Sequence, residues 1–194
     1  MLCLKFRRHY STLVKEITVG YVGEAASAYT DIGIPYLRTQ NVRRGYIDFA
    51  GLIYVTELFH TNNTKSKVSP GDVVISRVGV NRGMAAKIPD SLPEANIANC
   101  LIIKKSDAFN SDYLIFYLNL SYGQHPQFGA SVGSAQGVIN TAILKKWQVL
   151  QPELEQQNAF SAFVQRIDKL RFVIQKSLDE TQKLFDSLMQ EYFD

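Results

Sequence analysis

The sequence predicts an α+β protein, with a small domain of short, irregular strands over residues 1–152 and one long helix over residues 153–194. Three observations predict this division. The last 42 residues contain neither Gly nor Pro and repeat apolar residues at steps of three and four. The preceding part has short β-favouring runs bounded by turn residues. Charge is also uneven. Residues 153–194 carry five Lys/Arg and eight Asp/Glu, a net charge of −3, so the total of +3 leaves a net charge of +6 on residues 1–152.

The C-terminal helix has an apolar seam close to a heptad pattern, interrupted only by Arg171 and Thr181. The predicted seam residues are Phe160, Val164, Ile167, Ile174, Leu178, Phe185, Leu188 and Tyr192. A helix of this length spans about 60 Å and needs a partner along its seam. The partner can be the first domain, a second copy of the chain or a helix of another protein. We expect a homodimer through residues 160–192.

In the first domain, alternating and continuous apolar runs predict strands, and two stretches predict helices. The predicted strands are Gly45–Asp48, Leu52–Val55, Val73–Ser76 and Leu101–Ile103. Ser111 or Asp112 is expected to cap a helix over Tyr113–Leu120. Asn140 is expected to cap a short helical turn.

Composition excludes several classes of protein. No apolar run approaches the length of a membrane span, and the N-terminal stretch lacks the pattern of a signal peptide. The cytoplasm is therefore the expected compartment. The only two cysteines, Cys3 and Cys100, have no CxxC neighbour and are expected to be ordinary thiols.

Catalytic patterns are missing from the sequence. His9, His60 and His125 lie far apart without metal-ligand spacing, so each is expected to be a surface or structural residue. No GxSxG, phosphate loop or Pro-Pro-aromatic tetrapeptide occurs. The sequence therefore predicts no catalytic residue, no metal and no cofactor bound by this chain.

Three segments instead collect amide, basic and small residues where loops are expected: Ile34–Val42, Ser69–Gly83 and Gly129–Ile139. Arg can bond guanine and Asn or Gln can bond adenine in the major groove, so these segments suit DNA readout. The predicted DNA-binding residues are Arg38, Thr39, Gln40, Asn41, Arg77, Asn81, Arg82, Ser134 and Gln136. Candidates for phosphate contact are Arg43, Arg44, Lys65 and Lys67. The alternative is structural: polar strand ends that cap their own turns, and solvated surface charge.

The order of these segments, followed by a long helix after a proline, resembles one half of the specificity subunit of a type I restriction-modification system. The residues that carry the resemblance are Gly33–Val42, Gly71–Gly79, Gly133–Gln136 with Ile139, and Pro152–Gln156. It covers about residues 30–194. Family members usually carry two recognition domains and two spacer helices, whereas this sequence has one of each. The chain is therefore expected to be either a natural half that homodimerises or the amino-terminal portion of a longer subunit.

The resemblance implies a target-recognition domain whose helix forms an antiparallel coiled coil, so that two heads read a split target in double-stranded DNA. It implies a modification methyltransferase subunit that uses S-adenosylmethionine to methylate adenine, and a separate restriction nuclease subunit. This chain would supply the sequence specificity and no catalysis. The alternative is a protein-interaction adaptor that oligomerises through the helix, and steep salt dependence of binding would distinguish DNA recognition from it.

Overall fold

The computed structural model describes residues 7–9, 17–121, 138–146 and 148–193. The chain divides into two compact units, Met1–Leu154 and Glu155–Asp194, and each is described by itself. The described strands are β1 (Arg7–His9), β2 (Ile17–Val19), β3 (Tyr29–Thr30), β4 (Ile34–Leu37), β5 (Ile53–Val55), β6 (Lys67–Val68), β7 (Val73–Ser76), β8 (Ala85–Lys87), β9 (Ala95–Ile97), β10 (Cys100–Ile103) and β11 (Gln148–Leu150). The described α-helices are α1 (Glu57–Asn62), α2 (Ser111–Ser121), α3 (Thr141–Lys146) and α4 (Leu154–Phe193).

Within the described residues, the strands form three sheets. A four-stranded sheet has the order β2-β10-β7-β8, and all of its pairs are antiparallel. A five-stranded sheet has the order β3-β5-β4-β9-β6, in which β4 and β9 are parallel. Strands β1 and β11 pair separately. This is the mixed architecture of small, irregular strands that the sequence predicts.

The four-stranded sheet lies between two apolar layers. Every residue of β7 and β10 is buried, which explains why both read as continuous apolar runs rather than as alternating ones. Successive side chains point to opposite faces, so Val73 and Ile75 join one apolar cluster with residues of α2 and α3. Val74 joins the other cluster, with Leu37 and Ile97 of the five-stranded sheet. Burial of each such side chain contributes roughly 1.5–3 kcal/mol.

A buried polar network holds α1 to the five-stranded sheet. The ring of His60 meets Asn96 Oδ1 through Nδ1 at 2.6 Å and Glu94 Oε1 through Nε2 at 3.1 Å. The Asn96 amide donates to Ser66 Oγ at 2.7 Å, which fixes its oxygen toward the histidine. The expected structural role of His60 is confirmed, since the side chain is buried and bonded on both nitrogens.

Several elements match their predictions closely. Strand β7 has the predicted bounds, and β5 and β10 each lie within one residue of theirs. Helix α2 forms where expected, but its cap is Asn110, whose Oδ1 accepts from the N–H groups of Asp112 and Tyr113 at 2.9 and 3.0 Å. The hydroxyl of Ser111 instead donates to Gly71 O at 2.7 Å.

The strand predicted at Gly45–Asp48 is wrong. This stretch forms a bend, and its β pairing is an isolated bridge between Val42 and Ile47, outside the named strands. Gly45 has a φ of +94°, which is outside the extended region. The carbonyl of Asp48 accepts from the Asn41 side chain at 2.8 Å, so a side-chain amide takes the place of a neighbouring strand.

The second unit is a single helix, α4, which begins two residues after Pro152 and runs for 40 residues. At 1.5 Å per residue it is about 60 Å long. Its exposed face carries i,i+4 pairs, including Lys176 with Glu180 at 3.7 Å. The predicted long C-terminal helix is confirmed. No helix among the described residues is both long and apolar enough to cross a membrane.

Candidate nucleic-acid interface

The first candidate segment is a tight turn that follows β4. Residues Thr39–Asn41 form a 3-10 turn, and the side chain of Asn41 closes it by accepting from the Arg38 N–H at 2.9 Å. The same amide donates to Asp48 O at 2.8 Å and to Ala50 O at 3.2 Å. Asn41 is fully buried and thus ties the turn to the rest of the loop between β4 and β5. We call residues 38–52 the β4–β5 loop.

Arg38 also takes part in holding this loop. Its guanidinium donates through Nη2 to Gly51 O at 2.8 Å, and its side chain is only partly accessible. Gly51 has a φ of +64°, a conformation that favours glycine and brings its carbonyl within reach. Gln40 lies beside them and is exposed. The turn therefore presents Gln40 outward from a frame made by Arg38 and Asn41.

The second candidate segment is the connection between β7 and β8, residues 77–84, which we call the β7–β8 loop. Its ends are fastened by Ser76, whose N–H donates to Met84 O at 3.0 Å and whose carbonyl accepts from Gly83 N at 2.8 Å. Gly79 and Gly83 have φ values of +76° and +84°, so both turns of the loop rely on glycine. Between them, Asn81 is buried whereas Val80 is 96% exposed.

The fold brings these two loops together. Asn81 Nδ2 donates to Thr39 O at 3.1 Å and to Gln40 O at 3.4 Å, across about 40 residues of sequence. Arg43 donates to Asn81 Oδ1 through Nη1 at 3.2 Å and to Asp48 Oδ2 through Nε at 3.3 Å. Segments that are remote in the sequence therefore form one continuous surface.

Asp48 is the acidic residue of this surface. Its Oδ1 accepts from the Ala50 N–H at 3.0 Å, and that hydrogen bond is the main cause that lowers the pKa of the carboxyl below its usual value. The Arg43 guanidinium lowers the pKa further. At neutral pH Asp48 is therefore ionised and neutralises Arg43.

The third candidate segment meets the second at its end. Arg77 donates through Nε to Ile139 O at 2.9 Å, and the Ile139 N–H donates to Arg77 O at 3.3 Å. Ser134 and Gln136 lie outside the described residues. The described end of this segment is thus fixed to the beginning of the β7–β8 loop.

The predicted DNA-binding residues differ in accessibility. Gln40 is exposed, and Arg38, Thr39, Arg77 and Arg82 are partly accessible. Asn41 and Asn81 are buried and saturated by hydrogen bonds within the chain, so direct readout by either would require its loop to open. DNA contact stays a prediction for all of them.

The four candidates for phosphate contact lie in two places. Arg44 is exposed on the β4–β5 loop, next to the tethered Arg43. Lys67 begins β6, an edge strand of the five-stranded sheet that is separated from β4 by β9, and Lys65 lies in the 3-10 turn just before it. Lys67 is also paired with Glu94 at 3.8 Å. Arg44 therefore has the placement that best suits contact with a ligand of the two loops.

Sequence reasoning missed three exposed apolar side chains on the two loops. Tyr46 and Phe49 of the β4–β5 loop are 59% and 44% exposed, and Val80 is exposed at the tip of the β7–β8 loop. Apolar and aromatic side chains can pack against a thymine methyl group or a base face. The sequence does hold a signal for Val80: it lies between Gly79 and Asn81, in a loop whose turns require glycine.

Nothing in this surface suggests bound metal. Over the part of the chain that the structure describes, no three His, Cys, Asp or Glu residues are grouped so that they could hold a metal ion. Cys100 is fully buried in β10, and burial raises the pKa of its thiol, so it stays protonated.

The predicted seam of α4 is exposed from Ile167 onward in the single chain. Every residue from Gln165 to Tyr192 is exposed, including Ile174 at 59% and Leu178 at 58%. Further large apolar side chains, among them Phe172 at 72%, are also exposed. Exposed apolar surface of this extent is typical of a protein interface.

The chain is similar in sequence to a known protein. No protein-family model matches the chain. Over 167 residues, or 84% of the chain, it is 24% identical to a protein of Methanocaldococcus jannaschii named as the MjaX type I restriction enzyme specificity subunit. The chain spans 39% of that relative's length.

Three solved structures have a fold similar to that of this chain. The HsdS subunit from Thermoanaerobacter tengcongensis superposes with a TM-score of 0.68 at 17% identity, over 95% of this chain and 42% of that one. A chain solved in work on complex assembly and conformational transition of the type I R-M system gives 0.69 at 17% identity, over 96% and 44% of the two chains. The S subunit from M. genitalium gives 0.56 at 12% identity, over 97% and 45%.

These likenesses establish the fold, a small α+β domain followed by a long helix. The resemblance to type I specificity subunits that the sequence predicts is confirmed. The chain corresponds in length to less than half of each of these relatives.

Proposed function

We propose that the chain recognises a DNA sequence as the specificity subunit, or one half of it, of a type I restriction-modification system. The observation that carries the proposal is the meeting of the β4–β5 and β7–β8 loops in a fold shared with specificity subunits. The joined loops carry Gln40 and Arg44 at an accessible surface. An amide side chain and a guanidinium are the groups that read base edges and bind phosphate.

The charge of the chain supports this partner. Residues 1–152 carry the positive charge of the molecule, whereas the helix unit is acidic. A basic domain attracts a polyanion, and its association with DNA becomes weaker as salt replaces the released counterions. The basic head is therefore the part that faces DNA in our proposal.

The helix supplies the second half of the proposal. One head and one helix provide a single half-site reader, and a second copy joined through the exposed seam of α4 would provide the other. With antiparallel helices the two heads would lie apart, and an unread gap would separate the two half-sites. Identical heads would read a palindrome.

Catalysis would belong to partner subunits. We propose that a methyltransferase subunit binds S-adenosylmethionine and methylates adenine, that a restriction nuclease subunit cleaves, and that this chain is non-catalytic. In the described surface the side chains of Asn41, Arg43 and Asn81 form the hydrogen bonds that hold the loops, which suits a binding surface. The chain would direct the methyltransferase to its target.

The test is to purify the chain with its neighbouring gene products and select DNA from a randomised library. Recovery of a methyltransferase and a split motif is the expected result. A palindromic motif would indicate a homodimer of this chain. Retention of DNA without any motif, at an affinity that does not change with salt, would contradict the proposal.

The adaptor alternative is not favoured by the comparisons, since the relatives are specificity subunits. Selection from the same library at two salt concentrations separates the two functions. Contact with several phosphates predicts a steep loss of affinity between low and physiological salt.

A further inference from the structure

We infer that Asn81 and Arg43 form a clasp that holds the β4–β5 loop against the β7–β8 loop, and that they position the reading side chains without touching DNA. This inference rests on the proposed function and deepens it. It reassigns two residues that the sequence marks as DNA contacts. The clasp explains how loops from different hairpins could act as one reading surface.

The hydrogen bonds of Asn81 are all directed inward. Its amide nitrogen donates to the carbonyls of Thr39 and Gln40, and its oxygen accepts from Arg43. Rotating the amide would place its oxygen against two carbonyls and its N–H against a guanidinium, so the arrangement allows one orientation only. With 4% of its surface exposed, Asn81 has neither a free donor nor the access that a base contact requires.

Arg43 is held by two of its nitrogens, while its side chain is 39% exposed. Its Nε bonds Asp48 Oδ2 at 3.3 Å, and its Nη1 bonds Asn81 at 3.2 Å. Asp48 neutralises the guanidinium, which reduces its attraction for a phosphate. The adjacent Arg44 is exposed and provides a matched comparison: the same side chain, one residue further along the same loop, outside the clasp.

The clasp acts on the residue that is placed to read DNA. Asn81 fixes the carbonyls of Thr39 and Gln40, so it sets where the exposed Gln40 side chain begins. Discrimination between bases depends on placement within about 0.5 Å, which a free loop does not maintain. Loss of the clasp should therefore reduce sequence discrimination more than it reduces general affinity for DNA.

The first measurement needs no DNA. Hydrogen exchange of the full-length chain is compared between wild type, Asn81→Ala and Arg43→Met, with Arg44→Met as the control. We expect both clasp variants to accelerate exchange roughly tenfold or more in peptides covering residues 38–51 and 77–84. Peptides of β10 should be unchanged, which would show that the domain remains folded.

The second measurement is library selection with the purified complex. Asn81→Ala and Arg43→Met should weaken the base preference at positions of the selected motif and leave the dependence of affinity on salt unchanged. Arg44→Met should retain the motif and reduce the slope of log affinity against log salt by about one. Asn81→Asp is a second variant for the clasp, because it retains the acceptor for Arg43 and loses the donor to the two carbonyls.

The outcomes separate the inference from the proposed function. A wild-type motif that Asn81→Ala and Arg43→Met leave intact would overturn the clasp while the proposed function stands. Exchange that accelerates in the β7–β8 loop alone would also overturn it, since the loops would then be independent. If wild type yields no motif, the proposed function fails, and the positioning role fails with it.

Discussion

The β4–β5 and β7–β8 loops and the helix α4 differ in where their stabilising contacts lie. The loops are fixed by side chains of their own unit, as Asn41 and Asn81 bond to backbone carbonyls around them. The helix has its own backbone hydrogen bonds but leaves an apolar seam uncovered from Gln165 to Tyr192. Contacts within one chain therefore suffice to join the two loops, whereas the seam of the helix is left for the partner that we propose.

The largest expected effect concerns the exposed apolar seam of helix α4. Leu178→Asp places a charge in the proposed seam, twice in a symmetric dimer, and should weaken association by about 5 kcal/mol or more. Light scattering at micromolar concentration should then report a monomer. Ser177→Asp adds the same charge to the neighbouring residue, outside the predicted seam, and should leave the dimer intact. A wild-type chain that is monomeric at high micromolar concentration would contradict the dimer.

A matched pair of leucines sharpens the contrast between the two units. Leu101 is fully buried in β10, whereas Leu170 of α4 is 62% exposed. Leu101→Ala should lower the free energy of unfolding of the head by about 2–5 kcal/mol through lost burial and a cavity. Leu170→Ala should change that transition by less than about 0.5 kcal/mol. Denaturant unfolding measures both, and equal losses would show that the two regions do not differ as described.

The next effect concerns the exposed tip of the β7–β8 loop. Val80→Asp should weaken DNA binding by about 1–2 kcal/mol, because a carboxylate would approach the phosphates. It should leave thermal stability unchanged, since Val80 is 96% exposed. Leu58→Asp is the control: Leu58 is also exposed, at 70%, but lies on α1. Equal DNA affinity of the two variants would show that Val80 does not lie in the DNA interface.

The smallest effect is the dependence of the β4–β5 loop on pH. The folded-state pKa of Asp48 is lowered, first by the Ala50 N–H and then by Arg43, relative to the unfolded chain. The stabilisation is therefore complete above the unfolded pKa and is lost as pH falls through the folded pKa. Protection factors of the loop amides, which allow for the slower intrinsic exchange at low pH, should fall under acid in wild type but not in Asp48→Asn. The same acid response in both would assign it to another group.

The sequence predicts the elements whose signal is local. The Val73–Ser76 strand and the long helix follow from an apolar run and a heptad pattern, and both form as predicted. The strand at Gly45–Asp48 does not form, because the amide of Asn41 captures the carbonyl of Asp48. A residue seven positions away thus overrode a local β preference.

The sequence predicts the candidate interface only in part, because the role of each side chain depends on tertiary contacts. The segments containing Gln40 and Asn81 were identified, and the fold brings them together. Their roles could not be separated from sequence, because an amide that reads a base and an amide that binds a carbonyl are the same chemical group. Only tertiary contacts distinguish the exposed Gln40 from the buried Asn81.

We propose that the joined loops of this chain determine DNA specificity. Comparing the selected motifs while the partner subunits stay the same tests this most directly. One methyltransferase preparation is assembled with wild-type chain or with Gln40→Ala, and both complexes select from one randomised library. We predict that Gln40→Ala relaxes the preference at one base pair in each half-site by about 1–3 kcal/mol and leaves the gap unchanged. An identical motif from both complexes would contradict the assignment of readout to this surface.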